Sequence, residues 1–257
     1  MVRNTTFRTK PEGPHTHTVI FLHGRDSDGK TFASEFFESE ASEPANELRT
    51  LLDLFPSIRW VVPTAPTLHS ERFETECPQW FDMWSVEHPE ERPELQQSGL
   101  QQSIEQILTI IKEEESLVAR SKIFLCGISQ GFATAIATFL AEKKGGFAGL
   151  IGLSSWMACA PGTQELEKLQ AIFGFGQALE LDECPTGKTP VFLSHSVDDE
   201  VVPINNGRVL RDTITSNGFQ VEWHEYEDGG HWVNEPQGVD DIVGFLKRCM
   251  ATSQPQP

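Results

Sequence analysis

Residues 123–137 read IFLCGISQGFATAIA. Ile123–Cys126 is a short apolar run without strict alternation, the pattern of a strand buried on both faces. Phe132–Lys143 is rich in alanine and apolar residues and reads as a helix. Between them stands Gly127-Ile128-Ser129-Gln130-Gly131, a G-x-S-x-G turn in a strand-to-helix context. Such a turn holds its serine in a strained conformation and needs small neighbours, which Gly127 and Gly131 supply. It also sets Ser129 at a helix N-terminus, where free N–H groups and the helix dipole favour negative charge.

Outward from this turn, the chain alternates strands and helices. Apolar runs at Thr18–His23, Ile58–Val62, Gly149–Leu153, Val191–Ser194 and Val221–Tyr226 read as further strands. Residues 94–114, 204–216 and 239–250 read as helices; in the first, Leu100, Ile104, Ile107, Leu108 and Ile111 form one apolar stripe. This alternation predicts a doubly wound, mostly parallel α/β sheet, in a single domain over residues 17–250. Residues 1–16 and 251–257 read as loose polar tails. Residues 64–93 and 157–188 fit no period and read as long loops that line a pocket.

A serine hydroxyl needs a base, and a serine of this kind sits in an α/β-hydrolase fold whose chain order is serine, acid, histidine. Three histidines follow Ser129. His195 ends a strand and His224 lies inside one, whereas His231 lies on a loop beyond the last strand, the place from which it can reach over the sheet. The acid belongs after the preceding strand, where Asp198 and Asp199 stand side by side, the fold does not choose between them, and Glu200 is a third choice behind both. One oxyanion donor is the N–H after the nucleophile, that of Gln130. The other comes from the loop at His23-Gly24-Arg25, with the Arg25 N–H as donor and the His23 ring as a pin for the loop. Trp80, Phe81 and Trp84 are candidates for an acyl groove, and Trp156 and Trp232 for walls of the site.

Composition narrows the partners. The chain has 38 acidic against 20 basic residues, a net charge of -18, which repels nucleic acid and anionic headgroups. Its five cysteines form neither a disulfide framework nor a CxxC metal site, which suits a reducing compartment. The N-terminal stretch is polar, unlike a signal peptide, and no run reaches the roughly 18 apolar residues of a membrane helix. The expectation is a cytoplasmic protein with no membrane anchor. Asp26-Ser27-Asp28-Gly29 lacks the later acidic ligands of a calcium loop, so neither metal nor cofactor is expected.

Four blocks together resemble the phospholipase/carboxylesterase family that includes the acyl-protein thioesterases. They are VIFLHGRDSDG (19–29), PTAP with QWFDM (63–66, 79–83), IFLCGISQGFATAIA (123–137), and HSVDDEVVP with GGHWV (195–203, 229–233). The resemblance implies a cofactor-free hydrolysis of carboxylic esters or thioesters, a lipidated protein being one substrate class. It carries the nucleophile to Ser129, the acid to Asp199 (the Asp of D-x-x-V-P), the base to His231 and the oxyanion donors to Arg25 and Gln130. Three departures bear on the substrate: Arg25 where the family usually has leucine, Phe132 where it has a second glycine, and a longer segment after Trp156. A small-molecule esterase and a catalytically silent binding module on the same fold are the alternative readings.

Overall fold

The computed structural model of the protein describes residues 5–159 and 188–252. Its strands in chain order are β1 (Thr6–Arg8), β2 (His17–Leu22), β3 (Ile58–Pro63), β4 (Thr67–Ser70), β5 (Thr75–Pro78), β6 (Ile123–Ile128), β7 (Gly149–Leu153), β8 (Val191–Ser196) and β9 (Val221–Tyr226). The described helices are α1 (Gly29–Phe36), α2 (Leu51–Leu54), α3 (Glu94–Glu115), α4 (Gln130–Glu142), α5 (Ile204–Ser216) and α6 (Gln237–Thr252). Seven strands form one sheet in the order β1-β3-β2-β6-β7-β8-β9. All neighbours pair in parallel except β1 with β3.

The central strands β2, β6, β7 and β8 are buried along their whole length, as apolar runs covered on both faces must be. Successive side chains point to opposite faces and build two cores. Ile20, Leu22, Ile123 and Leu125 join Phe132, Ile136 and Leu140 of α4 and the Leu100–Ile111 stripe of α3. Val19, Phe21, Phe124 and Cys126 join Phe32 and Phe36 of α1 and Val239, Ile242 and Leu246 of α6. Each such side chain contributes roughly 1.5–3 kcal/mol on burial, so the paired cores supply the main stabilisation. Phe132 belongs to this packing and not to a pocket: it is 0% exposed, and a Cβ on Gly152 of β7 would fall 2.4 Å from its ring.

Within the loose tail expected over residues 1–16, the described residues 5–16 are held against the sheet. Thr6–Arg8 pairs antiparallel with β3, and the N–H groups of Thr9, Glu12 and Thr16 donate to carbonyls of Trp60, Pro56 and Ser57. Part of the expected loop at 64–93 is the β4–β5 hairpin. The expected pocket loop at 157–188 lies outside the described residues apart from its first three positions and Lys188; of the expected C-terminal tail, Ala251 and Thr252 end α6, and 253–257 lie outside. Cys77, Cys126, Cys159 and Cys249 are buried. Among the described residues no helix is long and apolar enough to cross a membrane.

The edge that includes β1 is held by one buried carboxylate. Glu114 of α3 is 1% exposed and lies 3.1 Å from Arg59 Nε and 3.8 Å from Arg8 Nε, while Thr18 Oγ1 donates to it at 3.3 Å. Glu114→Gln keeps the shape but removes the charge that the two guanidinium groups answer. The expected cost is about 1–3 kcal/mol. Urea unfolding checks it, and an unchanged midpoint would count against the network.

The chain leaves β2 toward β3 on one side and later returns to β6 on the other. The loops after β2 and β6 therefore part at their carboxyl ends, and a crevice opens between them. Leu22 lies opposite Gly127 in the β2–β6 register, which brings the Gly24-Arg25 loop beside Ser129. A Cβ on Gly24 would stand 3.6 Å from Ser129 Cβ.

Candidate active site

Ser129 links β6 directly to α4 with φ 56° and ψ -131°, a conformation that side chains other than glycine rarely adopt. Its surroundings over-determine it. The Ser129 N–H donates to the Leu153 carbonyl at 2.9 Å, and its carbonyl accepts the Ser155 hydroxyl at 2.8 Å. The flanking glycines are steric necessities: a Cβ on Gly127 would stand 2.5 Å from Phe132 N, and one on Gly131 would stand 2.2 Å from Leu22 O. The Gln130 N–H opens the first turn of α4 beside the serine.

The Gln130 side chain is a two-point clamp. Its Oε1 accepts the Trp80 N–H at 2.9 Å and its Nε2 donates to the Phe81 carbonyl at 2.8 Å. This fastens the residue after Ser129 to the QWFDM block. Ser103 Oγ on α3 adds a bond to the Trp80 carbonyl at 2.6 Å.

The geometry separates the two adjacent aspartates. Asp199 Oδ2 accepts the Nδ1–H of His231 at 2.8 Å, while its Oδ1 accepts the N–H groups of Val201 and Val202, each at 2.9 Å. Asp198 turns to the histidine loop instead: its Oδ1 accepts the Gly230 N–H at 2.9 Å. Burial alone would push the Asp199 carboxyl up. Hydrogen bonds from His195, His231 and Val202 outweigh burial and hold it well below the ordinary carboxylate value. With Nδ1 committed to the carboxylate, neutral His231 keeps Nε2 as its acceptor.

His195 has a place that its position at a strand end did not reveal. Its Nε2 lies 2.9 Å from the Val202 carbonyl and 3.2 Å from Asp199 Oδ2. Both are acceptors, so Nε2 carries the proton and the acid faces two imidazoles. The signal was the i, i+4 spacing of His195 and Asp199 across the end of β8.

A cleft of about 280 Å³ opens beside Ser129 and Gln130. Its apolar lining comes from Phe73, Met83, Trp84, Val86, Trp156 and Val201, with Arg25, Arg72 and Glu87 as charged members. Of the aromatic residues expected at the substrate, Trp84 and Trp156 line this cleft. Trp80, Phe81 and Trp232 are not among the lining residues. Trp80 and Phe81 are fully buried, and Trp80 Nε1 donates inward to the His23 carbonyl at 2.8 Å. Trp232 packs edge-on against Phe32 and Phe36. Phe73, Met83, Val86 and Val201 take their places, carried by segments without sequence periodicity. Asp28 caps α1 by accepting from the N–H groups of Lys30 and Thr31.

His23 pins the loop that carries Arg25. Its Nε2 accepts the Ala65 N–H at 3.0 Å, so Nδ1 bears the proton and points to the Gly24 carbonyl at 2.6 Å. Burial lowers this imidazole to about 4, and burial lowers His17 likewise to about 4. Unfolded histidine titrates near 6.5. Both depressed groups therefore contribute stability that is complete above 6.5 and is lost as pH falls toward 4. Each contributes a slope of about 1.4 kcal/mol per pH unit in that window. Thermal unfolding at pH 7.5, 6 and 5 should show Tm falling by several degrees per unit. A flat Tm across this range would show that the two rings protonate without loss.

The order in which these groups leave the sheet defines the class: serine after β6, acid after β8 and histidine after β9, the order of the α/β-hydrolases that use a nucleophilic serine. The chain belongs to the phospholipase/carboxylesterase family, whose sequence model matches residues 4–250. It is 29% identical to acyl-protein thioesterase 1 of Yarrowia lipolytica, over 93% of this chain and 95% of that protein. It is 26% identical to a probable carboxylesterase, SOBER1-like, of Arabidopsis thaliana, over 90% of this chain and 84% of that one. The crystal structure of Zea mays acyl-protein thioesterase 2 has the same fold, with a TM-score of 0.72, 23% identity and coverage of 96% of this chain and 99% of that one.

Proposed function

We propose that the protein hydrolyses carboxylic esters or thioesters through an acyl-enzyme on Ser129. The observation that carries this reading is the strained Ser129 elbow at the same end of the parallel sheet as a histidine whose Nδ1 is committed to a buried Asp199. His231 Nε2 takes the hydroxyl proton as Ser129 Oγ bonds to the acyl carbon. The backbone N–H groups of Arg25 and Gln130 receive the oxyanion, each typically worth about 3–4 kcal/mol of barrier. The tetrahedral adduct collapses, and His231 passes the proton to the departing oxygen or sulfur. Water then enters, gives a proton to His231 and attacks the acyl carbon; the adduct collapses, His231 returns that proton to Ser129 Oγ, and the acid leaves. No step calls on a metal or cofactor.

The names of the relatives support ester and thioester substrates, lipidated proteins among them, and a cytoplasmic setting is part of the same reading. A panel of p-nitrophenyl esters and acyl-CoA thioesters, run beside fluorophosphonate labelling, tests it. Labelling at Ser129 with turnover of any acyl donor is expected. A folded protein that neither labels nor turns over a donor would return the weight to a silent binding module.

A further inference from the structure

The cleft beside Ser129 holds a cation that makes no ion pair with a carboxylate among the described residues. Arg25 Nε donates to Gln79 Oε1 at 3.1 Å, Nη2 lies 3.7 Å from Cys77 Sγ, and Cζ sits 4.8 Å over the Phe73 ring. Gln79 is 0% exposed, and its amide nitrogen donates to the Leu68 and His69 carbonyls, each at 3.2 Å. Its oxygen is therefore committed to Arg25, and the guanidinium is fixed by a built support. That support is wholly neutral.

The lack of a counter-charge is unusual within this molecule. Acidic residues outnumber basic ones by 38 to 20. Among the described residues, every other arginine except Arg72 is ion-paired with a carboxylate. The second cation of the cleft, Arg72, is anchored at 2.7 Å to the Trp84 carbonyl and shares the lining with Glu87. Arg25 remains, half-buried in a cleft whose apolar wall is Met83, Trp84, Trp156 and Val201.

The acyl and leaving halves of a substrate can be assigned to sides. The leaving atom must reach His231 to receive its proton, and His231 is not among the residues lining the cleft. Ser129 and Gln130 do line it, so the cleft takes the acyl half. Resting on the hydrolase reading above, we propose that the acyl half carries a carboxylate seated on the Arg25 guanidinium. The substrate class is then a half-ester or half-thioester of a dicarboxylic acid. A planar, fixed guanidinium suits a carboxylate because it offers two parallel N–H donors.

The test compares matched p-nitrophenyl donors: hydrogen succinate, glutarate and adipate against the butyrate, pentanoate and hexanoate. The readout is the ratio of kcat/KM for the anionic and neutral members, measured on wild type, Arg25→Leu and Arg25→Lys. Arg25 also supplies a backbone N–H, so only this ratio is read, not the absolute rate. Wild type should favour one anionic donor by 10-fold or more, with the preference shrinking as salt rises. Arg25→Leu should lose it, and Arg25→Lys should recover part of it. A wild-type ratio of one or less, or a ratio unchanged in Arg25→Leu, would overturn the inference while fluorophosphonate labelling left the hydrolase reading standing. Loss of labelling and of all turnover in folded wild type would overturn both.

Discussion

Ser129→Ala is expected to lower kcat on the best donor by about 10⁵-fold, since removal of a triad nucleophile leaves only binding and the oxyanion site. Fluorophosphonate labelling should vanish with it. KM should change little, because the cleft wall and the backbone donors stay in place. Stability should barely move. The strain at φ 56° belongs to the backbone, and the hydrogen bonds that enforce it run through the Ser129 N–H and carbonyl. A mutant that retained a tenth of wild-type turnover would remove Ser129 from the chemistry.

Asp199→Asn should cost about 10⁴-fold in kcat, by tautomer rather than by collapse. Asparagine can keep its oxygen toward the N–H groups of Val201 and Val202, where Asp199 Oδ1 now accepts. Its NH2 would then replace Oδ2 and confront both imidazoles. His231 would have to accept at Nδ1 and carry its proton on Nε2, so it could no longer take one from serine. His195 would meet donor with donor. Asp198→Asn is the control, because its carboxylate only receives the Gly230 N–H. A kinetic comparison in which both variants fell equally would reverse the assignment of the acid.

Much of the fold was legible because its information is local. Gly149–Leu153 and Val221–Tyr226 announce themselves by apolar runs, residues 204–216 read locally as a helix, and the structure has those bounds. The turn at Gly127–Gly131 is readable because its steric demand falls on the residues that form it. Strand β1 was not readable: three residues without apolar alternation become a strand only because β3, more than fifty residues away, offers them an edge. The hairpin β4–β5 is hidden for the same reason. In the site, the aromatic residues were visible as types but not as directions. Trp80 turns inward because its indole N–H finds the His23 carbonyl, and Trp232 turns to α1 because Phe32 and Phe36 wait there. Asp199 could be separated from Asp198 by family resemblance alone. The physical difference between them is which loop atom each meets across the sheet's end.

The Gln130 clamp has a bearing on how the substrate range of this scaffold can drift. One side chain ties the attacking residue's neighbour to Trp80 and Phe81, and the chain runs on from there into Met83, Trp84 and Val86 at the cleft. Reactivity and substrate choice thus hang from a common bracket. A library that randomises 83, 84 and 86 explores new acyl groups while the attack geometry stays anchored. One that includes 130 loosens both at once, and its members would lose turnover on every donor before gaining a preference for any.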